Sequence, residues 1–222
     1  IPSATAHALP VDDGGMLIGH ACAEVLDASF LRASCIAIGP GLGYASGQDA
    51  LVLRTILQEE SPVVLDADAI TVLANMEDGA TDFRARGVIT PHPGEYRRLA
   101  ETLAIDADPV EDKAHAASRL AQRLGVVAVV KGAGTAVSDG IRTWTCTRGS
   151  NVLATGGTGD VLTGCIAGLI AQFDPKMDLF DLACLAVEAH ARASERWTPK
   201  AGMLADELAD HLPEAIDELR AG

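Results

Sequence analysis

Basic residues are scarce in this chain, and lysine is the rarest charged type. Its 222 residues carry 17 Lys and Arg against 31 Asp and Glu, which gives a formal net charge of −14 at pH 7. The only lysines are Lys113, Lys131, Lys176 and Lys200. Nucleic acids and anionic membranes both require basic protein surface, so we expect neither as a partner. A local group of backbone N–H donors can still bind a small phosphorylated molecule.

Aromatic residues are also few, and closely paired cysteines and long apolar runs are missing. Aromatics make up 4% of the chain while hydrophobic residues reach 48%, a balance that suits layered α/β packing. The five cysteines form no CxxC pair, so we expect free thiols in a reducing compartment. Because neither an 18-residue apolar run nor a signal peptide is visible, the sequence predicts a cytoplasmic protein.

Short, almost wholly apolar runs alternate with helical patterns along the chain. Strands are predicted at residues 35–38, 63–65, 87–90 and 126–130, and a hairpin is predicted around the Asp139-Gly140 turn. Predicted helices cover residues 15–26, 49–58, 69–75, 94–103, 109–124, 160–172, 178–197 and 202–219. The pattern indicates an α/β fold of three layers, with a mainly parallel sheet and helices on both faces.

Four of the predicted strands end in glycine-rich or polar sequence. These ends are Gly39–Gly43, Asp66–Asp68, Thr90–Glu95 and Lys131–Thr135. Ligands bind beyond the carboxyl ends of the strands in open α/β sheets, so the four loops predict one shared site. Lys131 is the only lysine at a strand end, and it precedes two glycines and a hydroxyl, which favours phosphate or ribose contact over a simple turn.

The segment Gly156-Gly157-Thr158-Gly159-Asp160 runs directly into an apolar helix. Glycines let backbone N–H groups turn toward an anion, and a helix N-terminus adds unpaired N–H groups and partial positive charge. A carboxylate at that junction suits an enzyme that takes a hydroxyl proton while phosphoryl charge is stabilised. The structural alternative is that Asp160 only caps the helix.

Four further side chains have alternative interpretations. If the strand persists past Leu65, Asp66 and Asp68 point the same way and hold Mg²⁺ through water. Alternatively, Asp68 caps the following helix. His92, between two prolines, either contacts a ligand or is only exposed, and Glu95 either takes part or is a helix-terminal charge.

Taken together and in order, five segments resemble the NAD(P)H-hydrate dehydratase family, which has the ribokinase-like fold. They are Gly39–Gly43, Leu65–Ala69, Thr90–Glu95, Val130–Thr135 and Ala154–Leu162. The resemblance implies that hydrated NADH or NADPH is dehydrated at the expense of ADP or ATP with Mg²⁺. The ring hydroxyl is phosphorylated, and phosphate is then eliminated.

The resemblance also implies residue roles. Gly43, His92 and Asp160 would contact the hydrate, and Asp160 would be the catalytic base. The adenine nucleotide would be held by Lys131, Gly132, Ala133, Gly134, Thr135 and Gly159. The anion hole would be formed by Gly156, Gly157, Thr158 and Gly159. The family's Asn-Pro-Gly-Met segment is replaced by Ser150-Asn151-Val152-Leu153, which leaves the loop shape open there.

The resemblance covers the chain as one ribokinase-like domain, residues 1–222, which we expect to lack the family's N-terminal portion. We also expect a homo-oligomer, with an epimerase as a fused domain or partner. Two other readings stay open: a kinase of the same fold acting on a vitamin precursor, hydroxyethylthiazole or hydroxymethylpyrimidine, and a non-catalytic nucleotide-binding subunit.

Overall fold

A six-stranded mixed sheet forms the middle layer of the protein. The computed structural model describes residues 4, 6–43, 47–76, 83–199 and 201–221. The strands lie in chain order: β1 (Ile36–Ile38), β2 (Val63–Leu65), β3 (Gly87–Ile89), β4 (Val127–Val130), β5 (Ala136–Ser138) and β6 (Thr143–Thr145). The first four are parallel and the last two antiparallel, because β4 to β6 are joined by tight turns rather than helical crossovers.

Eight helices are described around this sheet. They are α1 (Gly19–Phe30), α2 (Gln48–Leu57), α3 (Ala67–Ala74), α4 (Pro93–Thr102), α5 (Lys113–Leu124), α6 (Thr158–Phe173), α7 (Leu179–Glu195) and α8 (Ala205–Ala221). A short 3₁₀ helix, Asn151–Ala154, precedes α6 in the segment whose shape the sequence left open. No helix among the described residues is both long and apolar enough to cross a membrane.

Alternate strand residues feed two separate apolar cores. Leu65 and Ile89 pack with helices α2 to α5 on one face, while Val64 and Val88 pack with α6 and α7 on the other. All four side chains are fully buried. A smaller cluster, which includes Met203, joins α8 to α7. This two-sided burial explains why β2, β3 and β4 carry no polar residue.

The predicted three-layer α/β architecture is therefore observed, and two helices begin four residues later than predicted. The helix predicted from residue 109 begins at Lys113, because Asp112 caps it by accepting a hydrogen bond from the His115 amide at 2.9 Å. The first predicted helix begins at Gly19, since the preceding backbone is held by a bridge between Val11 and Leu17. All five cysteines are free thiols, as expected.

Candidate functional site

The buried carboxylate of Asp66 joins four elements at the carboxyl edge of the sheet. It follows β2 and accepts hydrogen bonds from Thr90 Oγ1 after β3 at 2.7 Å and from Lys131 Nζ after β4 at 2.5 Å. Its second oxygen accepts from Thr163 Oγ1 on α6 at 2.7 Å. Asp66 is 1% exposed. Three of the four strand ends that the sequence grouped together thus share a hydrogen-bonded centre.

The expectation that Asp66 and Asp68 point the same way is wrong. Helix α3 begins at Ala67, immediately after Asp66, so the two carboxylates diverge. Asp68 accepts the backbone N–H of Gly43 at 2.8 Å, which ties the glycine loop after β1 to the first turn of α3. Asp68 therefore anchors a loop and does not cap the helix. Ala67 takes a positive φ of 48°, an uncommon backbone conformation for a non-glycine residue.

Gly39 allows the glycine loop to approach β2. Its φ is 130°, and a Cβ on it would lie 1.7 Å from the carbonyl oxygen of Asp66. Any side chain here collides with backbone. The structure thus gives the Gly39–Gly43 loop a packing role, and Gly43, the predicted hydrate contact, sits at its end.

The Lys131–Thr135 loop is a compact turn braced from one side. Thr135 Oγ1 donates to the Gly132 carbonyl at 2.9 Å, and the ammonium of Lys113 donates to the Ala133 carbonyl at 2.6 Å. Burial lowers the pKa of Lys113. The sequence gave no reason to place Lys113 here, because it lies 18 residues earlier in the chain at the start of α5.

Helix α6 begins within the glycine segment, so the predicted anion hole is a helix N-terminus. Gly157, with φ 88°, is the N-cap residue, and Gly159 and Asp160 occupy the first turn. The first amides of a helix have no carbonyl partner within it. Asp160 is exposed. A Cβ on Gly159 would lie 3.5 Å from Lys131 Nζ, so a lysine ammonium stands beside this helix end.

A buried histidine supports the same helix end from behind. His190 Nε2 on α7 lies 2.9 Å from the Thr158 carbonyl oxygen and donates to it, since a carbonyl only accepts. Thr158 Oγ1 also donates to the carbonyls of Leu153 and Thr155, both at 2.8 Å. Burial lowers the pKa of His190, which favours the neutral imidazole. Sequence analysis missed this residue because its helical setting shows no ligand spacing.

His92 is the N-cap residue of α4 and forms a capping box with Glu95. Its Nδ1 accepts the amides of Gly94 at 2.9 Å and Glu95 at 3.3 Å, and a Glu95 oxygen accepts the His92 amide at 2.7 Å. Since Nδ1 is an acceptor, the neutral ring carries its proton on Nε2. Nε2 lies 3.5 Å from a Glu95 carboxylate oxygen, and the His92 side chain is 53% exposed, so a ligand can reach the ring edge beside Glu95. Burial is the largest influence on the Glu95 carboxyl, and it raises the pKa of that group.

The sequence model of the NAD(P)H-hydrate dehydratase family matches residues 8–216. The chain belongs to this family. Two curated bifunctional NAD(P)H-hydrate repair enzymes named Nnr are similar to it. The one from Vibrio cholerae is 40% identical over 82% of this chain, and the one from Salinibacter ruber is 35% identical over 95%. The chain spans 35% and 38% of their respective lengths.

Solved structures confirm the predicted ribokinase-like fold. The ADP/ATP-dependent NAD(P)H-hydrate dehydratase of Bacillus subtilis, co-crystallised with ATP/Mg²⁺, superposes with a TM-score of 0.70 at 30% identity, covering 86% of this chain and 70% of that one. A ribokinase-like superfamily protein from Enterococcus faecalis gives 0.71 at 27% identity, covering 91% and 69%. The family resemblance inferred from the five segments is thereby confirmed.

Proposed function

We propose that this dehydratase-family site restores hydrated NADH or NADPH, using ADP or ATP as phosphoryl donor. One observation carries the proposal. An exposed carboxylate, Asp160, lies in the first turn of a helix whose N-terminal amides adjoin the Lys131 ammonium. Base, anion-binding amides and fixed cation are the groups that phosphoryl transfer to a hydroxyl requires.

The reaction divides into two steps at this helix end. Asp160 takes the proton of the ring hydroxyl, whose oxygen bonds to the terminal phosphorus of the nucleotide as the bond to the leaving nucleotide breaks. The phosphate ester then leaves as inorganic phosphate, and loss of a ring proton restores the double bond. The amides at Gly156–Gly159 stabilise charge on the transferred group, since helix N-termini favour anions.

The two substrates would occupy opposite sides of Asp160. The nucleotide would lie against Lys131–Thr135 and Gly159, the loop that Lys113 braces from α5. The hydrate would lie against Gly43 and His92, with the His92 Nε2–H as a hydrogen-bond donor. Asp68 anchors the backbone at Gly43, and the α4 capping box anchors His92. These contacts fix both hydrate-binding groups before a ligand arrives.

The donor set suits a Mg²⁺ ion that arrives with the nucleotide. No group of three His, Cys, Asp or Glu side chains among the described residues is arranged to hold a metal. Mg²⁺ bound mainly by phosphate oxygens and water needs no such cage, and it supplies charge neutralisation. Asp66 remains the predicted water-mediated contact, although both its oxygens are already hydrogen-bonded to protein donors.

The test follows NADH absorbance with hydrated NADH, Mg²⁺ and either ADP or ATP. Wild-type protein should restore NADH with one of the two donors. Asp160→Asn should lower kcat about 10²- to 10⁴-fold, the usual contribution of a general base, and leave nucleotide affinity nearly unchanged. Turnover by Asp160→Asn at the wild-type rate would remove Asp160 from its role. The Asp174→Asn variant, altered at the far end of α6, is the matched control.

Two measurements beside the NADH assay separate the alternative functions: phosphoryl transfer to vitamin precursors, and nucleotide binding. A hydroxyethylthiazole kinase from Pyrococcus horikoshii shares the fold at 22% identity, which carries no argument about substrate. Phosphorylation of hydroxyethylthiazole or hydroxymethylpyrimidine, without dehydration of the hydrate, would favour the vitamin-precursor kinase. Nucleotide binding without any turnover would favour a non-catalytic subunit.

Three further proposals concern the setting of the site. We expect a homo-oligomer, which light scattering of purified protein would test. The relatives named above are called bifunctional, and we propose that an epimerase acts beside this chain, fused or separate. A cytoplasmic location is testable by fractionation.

A further inference from the structure

Asp66 accepts more hydrogen bonds from protein side chains than a magnesium ligand or a helix-capping residue would need. Three hydroxyl or ammonium donors converge on one carboxylate, from the ends of β3 and β4 and from α6. The Lys131 side chain is 17% exposed and Asp66 is 1% exposed, so their ion pair is largely shielded from water. A shielded pair with additional hydrogen bonds holds one geometry, unlike a flexible surface pair.

The same carboxylate also fixes the helix that carries Asp160. Thr163, its partner on α6, lies three residues after Asp160, so both side chains occupy one face of the helix. Thr163 is 2% exposed and therefore faces the sheet beneath the exposed first turn. One carboxylate thus sets the position of the Lys131 ammonium and of α6 at once.

We propose that Asp66 is a positioning residue that holds the Lys131 ammonium against the N-terminus of α6. The fixed ammonium then stabilises charge on the transferred phosphoryl group. We call the Asp66–Lys131 ion pair the clamp. Its catalytic consequence rests on the proposed function, whereas the clamp itself is testable without turnover. Without Asp66, the Lys131 side chain loses its fixed location. Transition-state stabilisation depends on donors held in place beforehand, so the loss should appear in kcat.

Amine labelling tests the clamp directly. The native protein is treated briefly with acetic anhydride, and modification at each lysine is read by peptide mass spectrometry. Lys131 should react more slowly than the exposed Lys176. In Asp66→Asn its labelling should rise about tenfold, a factor that loss of one charge-assisted hydrogen bond allows. Lys113, bonded to a carbonyl instead, should be unchanged. Equal labelling of Lys131 in both proteins would overturn the clamp.

A double-mutant cycle tests the catalytic consequence. Lys131→Met should lower kcat about 100-fold, comparable to loss of one charge-stabilising donor. Asp66→Asn should lower kcat at least about tenfold. ADP affinity should fall by less than about threefold, because removal of a negative charge near the bound anion offsets the loss of the fixed ammonium. The double variant should match Lys131→Met within about threefold, since Asp66 acts through that lysine.

Two controls separate positioning from a structural role. Asp174→Asn removes another largely buried acidic partner, that of Arg86, at the opposite end of α6. It should lower thermal stability and leave kcat unchanged. Thr163→Val should lower kcat where Thr163→Ser restores it, which tests the inference even if Asp66→Asn does not fold. The proposal would be overturned if the kcat losses of Asp66→Asn and Lys131→Met multiplied in the double variant. It would also be overturned if excess Mg²⁺ restored the kcat of Asp66→Asn. Failure of wild-type turnover counts against the proposed function, while the labelling result still decides the clamp.

Discussion

Replacement of Gly39 by alanine should damage this protein far more than replacement of Gly41, two residues away. Both glycines have positive φ, 130° and 69°, and both lie in the loop after β1. A Cβ on Gly39 would lie 1.7 Å from the Asp66 carbonyl oxygen and 2.8 Å from its carbonyl carbon. A Cβ on Gly41 would have nothing within 4 Å. The pair therefore separates backbone collision from backbone conformation alone.

The expected magnitudes follow from that difference. Gly41→Ala has only the left-handed conformation to oppose it, a cost of about 1 kcal/mol. Gly39→Ala adds a collision between two backbone segments that relaxes only if the loop or β2 moves, for a total of about 4 kcal/mol. In a chain of this size, the melting temperature should fall by about 2–4 °C for Gly41→Ala and about 8–16 °C for Gly39→Ala.

Thermal unfolding followed by circular dichroism measures both variants, and NADH recovery measures their function. Because movement at Gly39 displaces Asp66, Gly39→Ala should also lose most activity at a temperature where it remains folded. Gly41→Ala should retain activity. If both variants melt within about 2 °C of each other, the packing of the loop against β2 is wrong and the reasoning fails.

Three other outcomes are expected. Gly94→Ala places a Cβ 2.8 Å from His92 Cε1, so steady-state kinetics should show a higher KM for the hydrate with the KM for ADP unchanged. Burial lowers the pKa of His190 in the folded chain, so on acidification below about pH 6.5 the unfolded chain binds more protons, and denaturant titrations should show stability decreasing as pH is lowered, by up to about 1.4 kcal/mol per pH unit; His190→Gln should remove that contribution. Lys113→Met frees the Ala133 carbonyl and should weaken ADP binding about 3- to 10-fold by calorimetry, whereas equal affinity would refute the brace.

Local patterns were enough to predict the layers of the fold. A run such as Val63–Leu65, apolar at every position, indicates a strand buried on both faces, and the structure buries all three side chains. The Asp139-Gly140 turn likewise predicted the antiparallel hairpin of β5 and β6. These features depend on neighbours in the sequence, so the sequence alone reveals them.

The connections within the site depend on distant residues and were beyond such patterns. Asp66 meets Thr163 across 97 residues of sequence, and His190 meets Thr158 across 32. Nothing local marks either partner as part of a site. Asp66 and Asp68 diverge because α3 begins at Ala67, two residues before its predicted start at residue 69. The roles assigned to Gly43, His92 and Asp160 remain predictions until ligands are tested.

The stoichiometry of the reaction tests the central claim most directly. Purified protein is supplied with hydrated NADH, Mg²⁺ and either ADP or ATP, and restored NADH, released phosphate and product nucleotide are quantified together. Phosphorylation at the Asp160 helix end followed by elimination predicts one phosphate and one AMP or ADP for each NADH. NADH restored without nucleotide consumption, or nucleotide consumed without restored NADH, would contradict the account.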